Sequence, residues 1–165
     1  MKINLKLLIV LLTVLAIYAF PQEVHAEHEL FFYYVQYDNN GEAVWKKTAV
    51  TVEPEPSLDR RAFVLFKAFF TSELPSSVPG GTRLLQAYVI EGELFLNVSE
   101  EILQYGGTYN ETIIKEQIFR TARELDGADT ITLLIEGWET PLTEGTLISH
   151  VSLPTFTDVY PLAKS

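Results

Sequence analysis

Between Val78 and Gly137 the chain places turn, cap and strand signals so close together that few ways of folding the stretch remain. Val78-Pro79-Gly80-Gly81-Thr82 turns into a strand from Arg83 to Val89, in which Leu84, Gln86 and Tyr88 alternate with Leu85, Ala87 and Val89. The tetrapeptide Ile90-Glu91-Gly92-Glu93 reads as a tight hairpin turn, and Leu94 to Ser99 as the return strand. Neither face of this hairpin is strongly polar, which predicts a central position in a sheet. Tyr105-Gly106-Gly107 then leads into a helical run to Leu125. Thr108 and Glu111 stand at capping-box spacing, which predicts Thr108 as the N-cap. Ile114, Ile118, Ala122 and Leu125 define the buried stripe, flanked by Ile113, with Lys115, Glu116, Arg120, Arg123 and Glu124 toward water. Gly127 occupies the place of a left-handed C-cap residue, and Thr130 to Ile135 forms a strand that Gly137 ends.

Upstream, the aromatic and β-branched run Leu30 to Val35 has strand length. Tyr37-Asp38-Asn39-Asn40-Gly41 supplies a hairpin turn, and Ala43 to Val52 returns with Lys46 and Lys47 on an edge. Glu53-Pro54-Glu55-Pro56 cannot continue a ladder, because proline has no N–H to give. A helix follows. Ser57 is placed to cap it, Asp59 suits its positive end, and Leu58, Ala62, Leu65, Phe66 and Phe69 recur at helical spacing. Phe63 and Phe70 widen that stripe, which implies a deeply packed helix. The element order is therefore strand-strand, then helix-strand-strand-helix-strand: an α+β domain, with a small mixed sheet and two helices on one face.

The N-terminus is not part of the folded domain's pattern. Lys2 and Lys6 precede an apolar run from Leu7 to Phe20, and Val24-His25-Ala26 supplies a cleavage pattern, so residues 1–26 read as a signal peptide, or an anchor if uncleaved. The mature chain is then one domain over residues 27–160 with a short tail, 161–165. It is exported, either secreted or held at the cell envelope, and touches membrane only through an uncleaved N-terminal segment. The sequence contains no cysteine, hence no disulfide framework and no lipid acceptor near the end of the apolar run. The formal charge of the chain is −10, and loss of Lys2, Lys6 and Glu23 makes it one unit more acidic. Such a surface repels phosphate backbones and anionic head groups, which argues against nucleic acid as a partner.

Catalytic chemistry finds little material. His25 lies in the signal region and His28 at the new N-terminus, which leaves His150 within the domain, and no G-x-S-x-G elbow accompanies it, although Ser149 and Ser152 stand beside it. Glu91 with Glu93, and Glu100 with Glu101, read as solvated turn residues. Asp126-Gly127-Ala128-Asp129 lacks the spacing of a calcium loop, and no paired His or Cys ligands exist. Gly80-Gly81 and Gly106-Gly107 lack the Lys-Ser/Thr ending of a phosphate loop. No catalytic, cofactor-binding or metal-binding residue is expected. Interaction chemistry has more to use: Trp138 follows a glycine at a strand end, and the segment Leu147 to Tyr160 carries Val151, Leu153, Phe156 and Tyr160. Trp138, Phe156 and Tyr160 are the candidate interaction residues. Two readings of the C-terminal segment stay open, cover for a sheet edge or an apolar patch for a partner.

The ordered combination of Val78-Pro79-Gly80-Gly81-Thr82, the Glu91-Gly92 hairpin, Tyr105-Gly106-Gly107 with Thr108 and Glu111, Asp126-Gly127 and the strand to Gly137 resembles the GerMN domain of bacterial sporulation and spore-germination proteins. The element order is also similar to the ring-building motif of secretion-ring subunits. These resemblances imply a noncatalytic module for protein binding or envelope-complex assembly, with other envelope or sporulation proteins, or further copies of itself, as partners. The rival expectation is a small extracytoplasmic hydrolase or ligand-binding protein acting on cell-wall or nutrient molecules.

Overall fold

The computed structural model describes residues 28–53 and 56–153. The signal segment, Phe156, Tyr160 and the tail at 161–165 lie outside the described residues. The first element is a hairpin of β1 (His28–Tyr37) and β2 (Ala43–Val52), paired antiparallel with Tyr33 opposite Lys47. Its turn is fixed by Asp38, whose Oδ1 accepts the amides of Asn40 and Glu42 at 2.8 and 2.9 Å. Helix α1 (Leu58–Thr71) follows, with Ser57 Oγ accepting the Arg60 amide at 3.2 Å, the capping bond the sequence predicts. Strands β3 (Leu84–Ile90) and β4 (Glu93–Val98) are joined through Glu91 and Gly92, whose φ values of 51° and 82° make the left-handed turn that suits a twisted hairpin. A 3₁₀ turn (Glu100–Leu103), helix α2 (Thr108–Ala122), strand β5 (Thr130–Ile135) and a short β6 (Val151–Ser152) complete the order.

The class is α+β, as the sequence predicts, with the strands divided between two sheets. The hairpin β1-β2 stands as a sheet of its own, and the second sheet has the order β3-β4-β5-β6. Within it β4 and β5 run parallel, joined across α2, and both outer pairs are antiparallel. Leu94, Leu96 and Val98 from β4 and Ile131, Leu133 and Ile135 from β5 point into one core. Ala62, Leu65, Phe66 and Phe69 of α1 and Ile114, Ile118 and Ala122 of α2 meet them there. Leu30, Phe32 and Val52 of the hairpin join the same cluster, Phe32 edge-on to Phe69 at 5.9 Å. Burying each such large apolar side chain contributes about 1.5–3 kcal/mol.

Sheet edges are closed by helix side chains. Asp59 Oδ1 in the first turn of α1 accepts the Val89 amide at 2.8 Å, occupying an outward N–H of β3. On the hairpin, Tyr33 gives its amide to Thr121 Oγ1 of α2 at 3.1 Å. Helix α2 thus has neighbours on more than one side, and Gln117, Arg120 and Thr121 are buried along with its apolar stripe. The expectation that Arg120 faces water fails for this reason. Its guanidinium lies 4.4 Å from the Trp45 ring of the hairpin, with Glu116 at 3.6 Å.

Two further boundary expectations are corrected. The N-cap of α2 is Gly107, at φ 89°, with no side-chain cap, and Thr108 is the first helical residue. Glu111 does not reach back to Thr108, because its carboxylate is drawn inward to a loop. At the other end α2 stops at Ala122, and the chain passes through turns at Arg123 to Leu125. Gly127, at φ 100°, serves the approach to β5 instead of capping the helix; a Cβ there would meet Leu58 Cδ2 at 3.1 Å.

Candidate interaction site

Trp138 stands on a tight turn at the end of β5. Ile135 and Trp138 exchange both backbone hydrogen bonds, 2.9 and 3.1 Å, across Glu136 and Gly137. Those two residues take φ values of 52° and 86°. Left-handed backbone at Gly137 costs little, whereas at Glu136 it is uncommon and has to be held by its neighbours. The neighbours are present. The Glu136 amide donates to Val98 O at 2.9 Å, the Gly137 amide to Asn97 Oδ1 at 2.9 Å, and Glu136 Oε1 accepts the Glu100 amide at 3.2 Å. Asn97 is a buried polar side chain on β4, and this turn uses its oxygen. The result is an indole 76% exposed on a backbone fixed from three directions. A large amphipathic ring left in water on an ordered support is a common form of binding residue.

The loop beyond the turn is tied to α2 by Glu111. Its carboxylate, almost fully buried, accepts from the Tyr105 hydroxyl at 2.6 Å, the Glu144 amide at 2.6 Å and the Thr146 amide at 3.0 Å. Burial pushes this carboxyl up, but the hydrogen bonds from Thr146, Tyr105 and Glu144 outweigh it and hold the group below its ordinary value. Burial, then the bond to Glu111, pushes the Tyr105 phenol up to about 12. The Gly107 amide donates to Glu144 Oε1 at 2.8 Å, so the start of α2 and the 142–146 loop form one unit. Spacing to Thr108 pointed to Glu111 as a cap; besides Tyr105, its partners lie 33 and 35 residues away on a loop with no periodicity to betray them.

His150 has a partner that sequence adjacency does not reveal. Its Nδ1 lies 2.8 Å from Glu93 Oε2, and its amide donates to Thr132 Oγ1 at 2.8 Å. The Thr132 hydroxyl donates in turn to Glu93 Oε1. Strands β4 and β5 lie in parallel register, with Phe95 opposite Thr132, and this brings the group together. A histidine held by a carboxylate is part of what nucleophilic catalysis requires. The nucleophile is missing: Thr132 is fully buried with its hydroxyl committed, and among the described residues no serine hydroxyl bonds the His150 ring. Open depressions of about 440 and 410 Å³ lie elsewhere, one lined by Val35, Tyr37 and Pro75, the other by Phe69, Phe70 and Val78. Among the described residues no group of three or more His, Asp or Glu side chains is placed to hold a metal ion.

Of the three candidate interaction residues, Trp138 is exposed as described, and Phe156 and Tyr160 lie outside the described residues. The described part of the C-terminal segment covers a sheet edge. Ile148 O accepts the Leu133 amide at 2.9 Å, Val151 and Ser152 pair with β5, and the Leu153 amide donates to Asp129 O at 2.9 Å. Among the described residues no helix is long and apolar enough to cross a membrane.

The family model described as Germane, sporulation and spore germination, matches residues 31–141. Among solved structures, the chain is similar to the tandem GerMN domains of the sporulation protein GerM from Bacillus subtilis. That likeness has a TM-score of 0.59 at 14% identity, covering 82% of this chain and 49% of the other, so this chain spans about half of the tandem structure. Similarity to the first GerMN domain of the same protein has a TM-score of 0.49 at 21% identity, covering 77% of this chain and 97% of that one. At 14% identity the likeness to the tandem domains shows the fold alone. No curated protein matches.

Proposed function

Because the chain belongs to the Germane family of sporulation and spore-germination domains, we propose that it works as an exported, noncatalytic module that binds other envelope proteins during sporulation or germination. One observation carries the reading. Trp138 is 76% exposed while every backbone N–H of its turn, from Ile135 to Trp138, is hydrogen-bonded. An exposed indole on a backbone already held in place spares a partner the cost of ordering the turn, and tryptophans contribute disproportionately at interfaces. Phe156 and Tyr160 are proposed from the sequence as further contact residues, and residues 1–26 as the export signal.

The hydrolase reading has the Glu93–His150 pair in its favour, but among the described residues no serine hydroxyl bonds that histidine. In the binding reading that pair fastens β6 to β4 across β5. Sporulation by cells whose sole copy carries Trp138→Ala or His150→Ala separates the two: a binding module depends on the first residue and a hydrolase on the second.

A further inference from the structure

The charge around Trp138 narrows the class of partner. Between Arg83 and Lys115, and again between Arg123 and Lys164, the sequence contains neither lysine nor arginine. These stretches build β4, the 3₁₀ turn, β5 and the turn that carries the indole. Glu136 and Glu139 flank Trp138 and are exposed. Exposed Glu100 is joined to them by its amide bond to Glu136 Oε1. Arg83 reaches Glu101 at 3.5 Å, and among the described residues Glu100, Glu136 and Glu139 have no ion pair. Two exposed carboxylates thus stand within two residues of the exposed indole and a third residue, Glu100, is bonded to one of them, in a chain that already carries a formal charge of −10.

An indole face attracts cations more strongly than any other side-chain ring, and adjacent carboxylates add to that attraction. The protein uses the same contact internally, where Arg120 lies over Trp45. Resting on the reading of Trp138 as a binding residue, we infer that this turn docks a basic protein segment, with an arginine or lysine over the indole and its neighbours facing Glu100, Glu136 and Glu139. The same charges oppose anionic polymers and oppose pairing of this face with its own copy. The turn backbone is already held by Asn97 and Val98, so only side chains are ordered on binding.

The test is anisotropy of a labelled oligo-arginine peptide titrated with the full chain at low and at physiological salt, each variant first shown to melt like the parent. Trp138→Ala should weaken binding about tenfold and Trp138→Phe by less. The double variant Glu136→Gln with Glu139→Gln should also weaken it and flatten its salt dependence. Glu29→Gln with Glu42→Gln, the same charge change on the hairpin, should leave affinity within about twofold. Unchanged binding by Trp138→Ala, or equal loss in the hairpin double variant, overturns the inference, the second by reducing it to net charge. The binding-module reading fails separately: it falls if Trp138→Ala cells sporulate normally. If those cells fail while the purified variant binds the peptide like the parent, the partner is not basic and the binding reading stands.

Discussion

The backbone of Tyr33 in β1 is bonded to the side chain of Thr121 in α2, amide to hydroxyl at 3.1 Å, across 88 residues of sequence. Gln117 Nε2 lies 3.4 Å from the Tyr33 carbonyl oxygen, and the Tyr33 hydroxyl donates to Glu124 at 2.9 Å. Antiparallel pairing turns the peptide groups of alternate residues outward, and at Tyr33 the helix answers both. The hairpin is fastened to α2 by polar bonds at its edge as well as by Leu30, Phe32 and Val52 in the core. Thr121→Val keeps the shape and removes the acceptor of this part-buried hydrogen bond. It should cost about 1–3 kcal/mol in urea unfolding, and Thr121→Ser should recover much of the loss.

Glu111 should make stability pH-dependent. Its carboxyl is held below the ordinary value in the folded state, so its contribution is fully present above the unfolded pKa and is lost as pH falls through the depressed folded one. Glu111→Gln should destabilise by about 2–3 kcal/mol at neutral pH, since it weakens three hydrogen bonds to a charged acceptor. Melts of parent and variant should converge as the solution is acidified.

The two helix starts should answer differently to the loss of a hydroxyl. Ser57→Ala removes a real capping bond and should cost about 1 kcal/mol. Thr108→Ala removes none, as Gly107 is the N-cap, and should shift stability by less than about 0.5 kcal/mol. Thermal melts of the two variants side by side decide whether the corrected boundary holds.

What could be read from the sequence was local. The Glu91-Gly92 turn, the Ser57 cap, the Phe66 and Phe69 face and the strand Thr130 to Ile135 are set by neighbours a few residues away, where periodicity and turn chemistry act. Misread features depend on distant partners. Arg120 occupies a helical position that looks wet until Trp45 of the hairpin covers it. Glu111 has the spacing of a cap and the environment of a core anchor. Strand patterns identify β1 and β2 without saying that they form a sheet apart from the other four. At the candidate site, a tryptophan after a glycine was visible, but the support of its turn was not, because Asn97 and Val98 hold that backbone from another strand.

The most direct measurement is sporulation frequency in cells whose only copy of the protein carries Trp138→Ala or His150→Ala, both variants confirmed to melt like the parent. Loss of an exposed histidine–carboxylate pair should alter stability by about 0–1 kcal/mol, so folding does not confuse the comparison. The account predicts that His150→Ala cells sporulate as the parent does and that Trp138→Ala cells do not. Failure of the His150→Ala cells, with normal sporulation by the Trp138→Ala cells, would contradict it.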